Sequence, residues 1–193
     1  MADFDTLLLK IVTDSWQSRI GSTMEEYYEN VRKDINFTNR DGKTLLQFAN
    51  CSPADLKVLL THGADVNHVC GRGYTPLIDA IYLQRSEEYL KVLLDAGAKL
   101  SQGDAPALAH AALVAKPEIL VFLLNSGADV DELCKLERTP LFYALMGTYP
   151  ASKLDILLSF GADPNVMDFY GNTPYTFGLV ENPDGTYSYD KKQ

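Results

Sequence analysis

The chain repeats itself, and that periodicity limits what it can fold into more than any other feature does. Gly63-Ala64-Asp65, Gly97-Ala98-Lys99, Gly127-Ala128-Asp129 and Gly161-Ala162-Asp163 recur with glycine spacings of 34, 30 and 34 residues. A period of this length marks a stack of supersecondary units, because one unit cannot bury its apolar face alone.

The agreement extends upstream of each glycine. Seven residues before it stands Leu56, Leu90, Leu120 or Leu154, and five before it Val58, Val92, Phe122 or Ile156. Four and three before it come leucine pairs: Leu59-Leu60, Leu93-Leu94, Leu123-Leu124 and Leu157-Leu158. Offsets of three and four residues place these side chains on one helical face, and glycine just past the last turn adopts the left-handed conformation that stops a helix. Leu94 and Leu124 are expected in the core with the rest of the row. Twelve residues after three of the glycines lie Thr75-Pro76, Thr139-Pro140 and Thr173-Pro174. Threonine caps a helix through its hydroxyl, and proline fits the first helical position, so a further helix is predicted at each. Short polar stretches such as Asp65-Val66-Asn67 and Gly73-Tyr74 supply a projecting turn between them.

This pattern resembles the ankyrin repeat, whose signature opens the first helix with Thr-Pro-Leu-His and follows the second with Gly-Ala-Asp-Val-Asn. The resemblance covers residues 34 to 180 and is best at Gly63-Ala64-Asp65-Val66-Asn67 and Thr75-Pro76-Leu77. It implies an all-α solenoid of stacked helix-turn-helix units with projecting β-turn fingers and divergent caps. Gln47, Ile78, Phe142 and Thr176 replace the family histidine, so the side-chain hydrogen bonds expected of that histidine are not expected here.

One domain is expected over 1–193: an N-terminal helical cap at 1–33, repeats at 34–65, 66–99, 100–129 and 130–163, and a C-terminal cap at 164–193. In the N-terminal cap, Leu7, Leu8, Ile11 and Val12 form one helical face, and Ser22-Thr23-Met24-Glu25 reads as a capping box opening a second helix. At the far end the leucine helix does not recur. Asn182-Pro183-Asp184-Gly185 is a turn sequence followed by strand-forming Thr186-Tyr187-Ser188-Tyr189. Eleven residues separate Gly97 from Leu108, against fourteen from Gly63 to Leu77, so the third repeat is expected to have a stunted finger. Such a deletion is harmless in a tolerant loop, or it leaves a notch for a partner to fill.

Twenty-six Asp and Glu against seventeen Lys and Arg give a net charge of -9, which repels phosphate backbones and anionic membranes. Neither nucleic acid nor membrane is expected as a partner. The acidic start, with no apolar run of membrane-spanning length, leads to the expectation of a cytoplasmic protein. Cys51, Cys70 and Cys134 lack metal-ligand spacing, and His62, His68 and His110 fall at unrelated repeat positions. His62 and His68 are expected to be exposed. Catalysis, cofactor and metal are therefore not expected.

The resemblance implies a contact surface made of finger tips and exposed positions of the first helices. The residues at those positions are Arg40, Lys43, Arg72, Tyr74, Lys135, Arg138, Phe169, Tyr170 and Asn172 on the fingers, with Tyr82 and Met146 on the first helices. Arg, Tyr, Phe and Met are enriched at interfaces. The expected function is binding, and inhibition, of a cytosolic protein by a small stand-alone protein that is monomeric when free. An immunity protein neutralising a bacterial toxin is its most specific form. An adaptor, scaffold or host-directed effector would use the same surface, and a self-assembling structural protein is the reading from another class.

Overall fold

The computed structural model describes residues 4–15, 23–103 and 105–190. Two compact units divide the chain, residues 1–99 and 100–193.

In the first unit, α1 (Phe4–Ser15) buries Leu8, Ile11 and Val12, and α2 (Met24–Lys33) buries Tyr27 and Val31. Arg32 joins the two helices through paired bonds to Asp5 at 3.1 and 3.0 Å. The cap of α2 is Thr23, whose hydroxyl accepts from Glu26 N–H, one residue later than the sequence suggests. Ser22 lies outside the described residues, as do Met1-Ala2-Asp3. Then come α3 (Leu45–Phe48), α4 (Pro53–Thr61), α5 (Pro76–Tyr82) and α6 (Glu87–Asp95). First helices pack on first helices, α3 against α5, and second on second, α4 against α6.

The second unit repeats this plan with α7 (Ala107–Val114), α8 (Pro117–Asn125), α9 (Pro140–Met146) and α10 (Pro150–Ser159). Here α7 packs against α9 and α8 against α10. The approach of α7 and α9 relies on small residues: Ala111, Ala112 and Ala144 are fully buried, and a Cβ on Gly147 would collide with the Leu113 carbonyl oxygen. A 3-10 helix, Pro174–Phe177, takes the place of the last first helix. Beyond it, β1 (Leu179–Glu181) pairs antiparallel with β2 (Tyr187–Tyr189), Leu179 facing Tyr189. The turn and the second strand are where the sequence puts them, and the partner strand completes a hairpin that packs on α10.

Each second helix ends alike. Gly63, Gly97, Gly127 and Gly161 have φ between +88° and +94°. The following alanine N–H reaches back to the first leucine of the pair, as in Ala98 to Leu93 at 2.9 Å and Ala128 to Leu123 at 3.0 Å. This double-bonded stop satisfies carbonyls that would otherwise end the helix unpaired. It also orients the leucine pair. Leu59, Leu93, Leu123 and Leu157 are fully buried, whereas Leu94 is half-buried, contrary to its expected core position. At the helix starts, the Thr75 hydroxyl accepts from Ile78 N–H, whereas Thr139 and Thr173 hold the cap position without that bond.

Candidate functional site

Four fingers share one hydrogen-bonding scheme, at 39–43, 70–74, 134–138 and 168–172. In each, the first residue's N–H bonds the fifth residue's carbonyl, and the fourth N–H bonds the first carbonyl, as in Cys70 to Tyr74 (3.0 Å) and Gly73 to Cys70 (2.8 Å). The shortened third repeat is built differently, since Ala107 N–H bonds Leu100 O at 2.8 Å. Beside Ser101, Gln102, Gly103, Ala105 and Pro106 a notch of about 200 Å³ opens, lined on its other side by Glu132, Leu133, Cys134 and Lys135.

In the first unit, fingers and first helices enclose a groove of about 440 Å³. Four of the residues expected at the contact surface line it: Lys43, Arg72, Tyr74 and Tyr82. Arg40 is exposed at its finger tip, outside the lining. Tyr74 and Tyr82 stack at 5.2 Å with ring planes 15° apart, and burial, followed by the Tyr74 hydrogen bond, pushes the Tyr82 phenol up to about 12. The Tyr82 phenol is therefore neutral at physiological pH, and the two rings present one flat aromatic wall. Tyr74 thus belongs to a packed pair rather than projecting freely. Leu83, half exposed, and Phe48 add apolar lining.

The floor of the groove is polar and fully engaged. Asp79 is 5% exposed and holds the Lys43 ammonium at 2.5 Å. Gln47 Nε2 donates to Asp79 Oδ2 and to the Tyr74 carbonyl, each at 2.9 Å, and its Oε1 accepts from Thr44 N–H at 3.2 Å. Gln47 therefore links one repeat to the next finger, correcting the expectation that loss of the family histidine removes such bonds. An amide carries both a donor and an acceptor, so it can serve here. Burial lifts the Asp79 carboxyl above the ordinary aspartate range, and Lys43 and Gln47 oppose that rise. Two histidines add local ties. His68 is half-buried rather than exposed, and its Nε2–H donates to Gly42 O at 2.7 Å. His62 is exposed and stacks on Phe4.

The second unit treats its expected contact residues differently. Arg138 is committed to Asp168, through Nε at 2.9 Å and Nη2 at 2.8 Å, and lies over the Phe177 ring. Asn172 donates to the same carboxylate through backbone and side chain. Burial raises the Asp168 carboxyl, but the bonds from Asn172, Arg138 and Tyr170 outweigh it and hold the group below the usual range. Arg138 thus fastens one finger to the next, and Asn172 braces Asp168 within its own finger. Lys135, Met146, Phe169 and Tyr170 are exposed. Leu133, Leu136 and Met167 are exposed beside them and were not singled out from the sequence. Their signal was available: Leu133 and Met167 flank equivalent finger positions, 34 residues apart.

A family model described as ankyrin repeats, in three copies, matches residues 18–104. Among curated proteins, the ankyrin repeat protein nuc-2 of Neurospora crassa is 40% identical over 116 residues, which are 57% of this chain and 10% of that protein. The transient receptor potential channel pyrexia of Drosophila melanogaster is 34% identical over 123 residues, 62% of this chain and 13% of that protein. The chain thus spans 10 to 13% of the length of these relatives in the matched regions. No helix among the described residues is long and apolar enough to cross a membrane.

Proposed function

Because the chain belongs to the ankyrin-repeat family, a family of protein–protein interaction modules, we propose that it binds one protein partner through its fingers and first helices and blocks that partner. The observation that carries this reading is the groove of the first unit. It combines an aromatic wall, Tyr74 and Tyr82, with the exposed Arg72 and Leu83 above a floor whose polar groups are paired. Aromatic and arginine side chains around a preformed concavity are the usual energetic centres of protein interfaces. A groove already organised by Gln47, Asp79 and Lys43 requires little ordering when a partner binds.

The net charge of -9 favours a basic partner. Covering a working surface of such a partner would neutralise it, and an immunity protein holding a toxin in the cytoplasm is the specific form of this proposal. The cap, four repeats and closing cap, acting as one monomeric, non-catalytic domain, belong to the same proposal.

Affinity purification with the tagged chain, followed by mass spectrometry, supplies the partner. Calorimetric titration of that partner against the Arg72→Glu, Leu83→Ala double variant then tests the groove, with a loss of at least about tenfold expected. Unchanged affinity removes the groove from the interface. Loss of the partner's own activity on binding is the expected outcome for a blocking protein. Retained activity would replace blocking with an adaptor role.

A further inference from the structure

The fingers 134–138 and 168–172, with the residue just before each, carry large apolar side chains that stay exposed. Leu133, Leu136, Met167, Phe169 and Tyr170 are between 39% and 67% exposed. The two turns are fastened together, since Phe169 N–H donates to Leu136 O at 2.9 Å and Arg138 joins Asp168. Phe169 and Tyr170 hold an edge-to-face arrangement at 5.4 Å. Scattered exposed apolar residues need no explanation, but a cluster on adjoining turns with rigid backbone marks an interaction surface. At its border lies the notch of about 200 Å³, left by the shortened loop and lined by Pro106, Leu133, Cys134 and Lys135. It has room for one apolar side chain.

Charge selects the occupant. Residues 100–193 contain twelve Asp and Glu against six Lys and Arg. Of those six, Lys153 is buried and Arg138 is committed to Asp168. Glu132 lines the notch and Glu137 stands exposed in the finger itself. A second copy of this chain would bring the same negative field to the contact, whereas a cationic segment would be drawn to it. We infer that the strip and notch dock a segment of another protein in which large apolar side chains are flanked by Lys or Arg, one apolar side chain entering the notch. The inference rests on the chain being a protein-binding module and adds the chemistry of what it binds.

The test uses the full chain and a displayed library of random peptides. Selected peptides are synthesised, together with versions in which Lys and Arg are replaced by Glu, and titrated by fluorescence anisotropy at low and high salt. Selected sequences are expected to join aromatic or aliphatic residues to Lys or Arg, to lose affinity at high salt, and to fail when the charge is reversed. The Leu136→Ser, Phe169→Ser double variant should bind at least tenfold more weakly with an unchanged unfolding midpoint, and Leu133→Glu should do the same from the notch side.

Enrichment of acidic or uncharged peptides, of none at all, or unchanged binding by both strip variants would overturn the inference. So would concentration-dependent dimers in sedimentation that Phe169→Ser abolishes, which would assign the strip to a second copy. Binding that depends on Arg72 and Leu83 but not on the strip defeats this inference and leaves the proposed function standing. Dependence on neither surface defeats both.

Discussion

Glu137 occupies the fourth position of its finger at φ +57°, where Gly42, Gly73 and Gly171 stand at +69°, +80° and +76° in the others. A side chain in the left-handed region costs about 1 kcal/mol relative to glycine. Glu137→Gly should therefore raise the unfolding free energy by about that amount, read from the urea midpoint at constant slope. A lower midpoint would mean that the Glu137 side chain makes a compensating contact. Lys153 is the second residue with a measurable consequence. Fully buried, it donates to the carbonyls of Ala111 (3.3 Å) and Ala112 (2.7 Å) and to the Thr148 hydroxyl, closing the end of α7. Burial pushes its ammonium down to about 8. For a base depressed in the folded state, the unfolded chain holds the proton more tightly between that value and the ordinary lysine range. Stability linked to Lys153 therefore rises with pH across this window. The unfolding free energy of the native chain minus that of Lys153→Met should increase by about 2 kcal/mol from neutral pH to pH ~10. Parallel pH profiles would contradict a buried charged lysine.

At the scale of the elements, the glycine stop decides which leucine of each second-helix pair contributes to the core. Leu93→Ala and Leu123→Ala remove fully buried side chains and should each cost about 2 to 5 kcal/mol, with Leu94→Ala costing less than half as much as Leu93→Ala. Equal losses at Leu93 and Leu94 in urea unfolding would show that the helix is rotated from its described position. The sequence makes the helices legible because glycine, the leucine pair and Thr-Pro recur in register, and each acts locally on the backbone. Helix rotation is less legible, because Leu93 and Leu94 both satisfy a broad apolar stripe and differ once neighbouring helices are in place. Gln47 was misread for a similar reason. Its identity departs from the family pattern, but its donor and acceptor fall where they can bridge Thr44, Asp79 and the Tyr74 carbonyl. Strand β1 is less legible than β2 because Leu179-Val180-Glu181 shows no alternation, whereas Tyr187-Ser188-Tyr189 alternates just after a turn sequence. The outward position of Leu133, Leu136 and Met167 is not legible at any one residue of the sequence, because isolated apolar residues in a turn segment read equally well as packing inward.

At the scale of the whole molecule, the two units use one architecture for two kinds of surface. The first offers a groove with a paired polar floor and an aromatic wall, and the second an apolar strip in an acidic field beside a notch. Disruption of the groove by Arg72→Glu with Leu83→Ala should leave folding intact, since both residues are exposed and surface changes usually stay within about 0.5 kcal/mol. An altered unfolding midpoint in that variant would make it unusable as a binding probe and would place Leu83 in the packing. The central claim is that fingers and first helices form the binding face. Hydrogen–deuterium exchange of the full chain, with and without its captured partner, measures this directly. Slowed exchange should be concentrated in the fingers 39–43, 70–74, 134–138 and 168–172, in helices α5 and α9, and at the notch lining Ser101, Gln102 and Leu133. Protection concentrated instead in the second helices α4, α6, α8 and α10, with the fingers exchanging as in the free chain, would contradict the account.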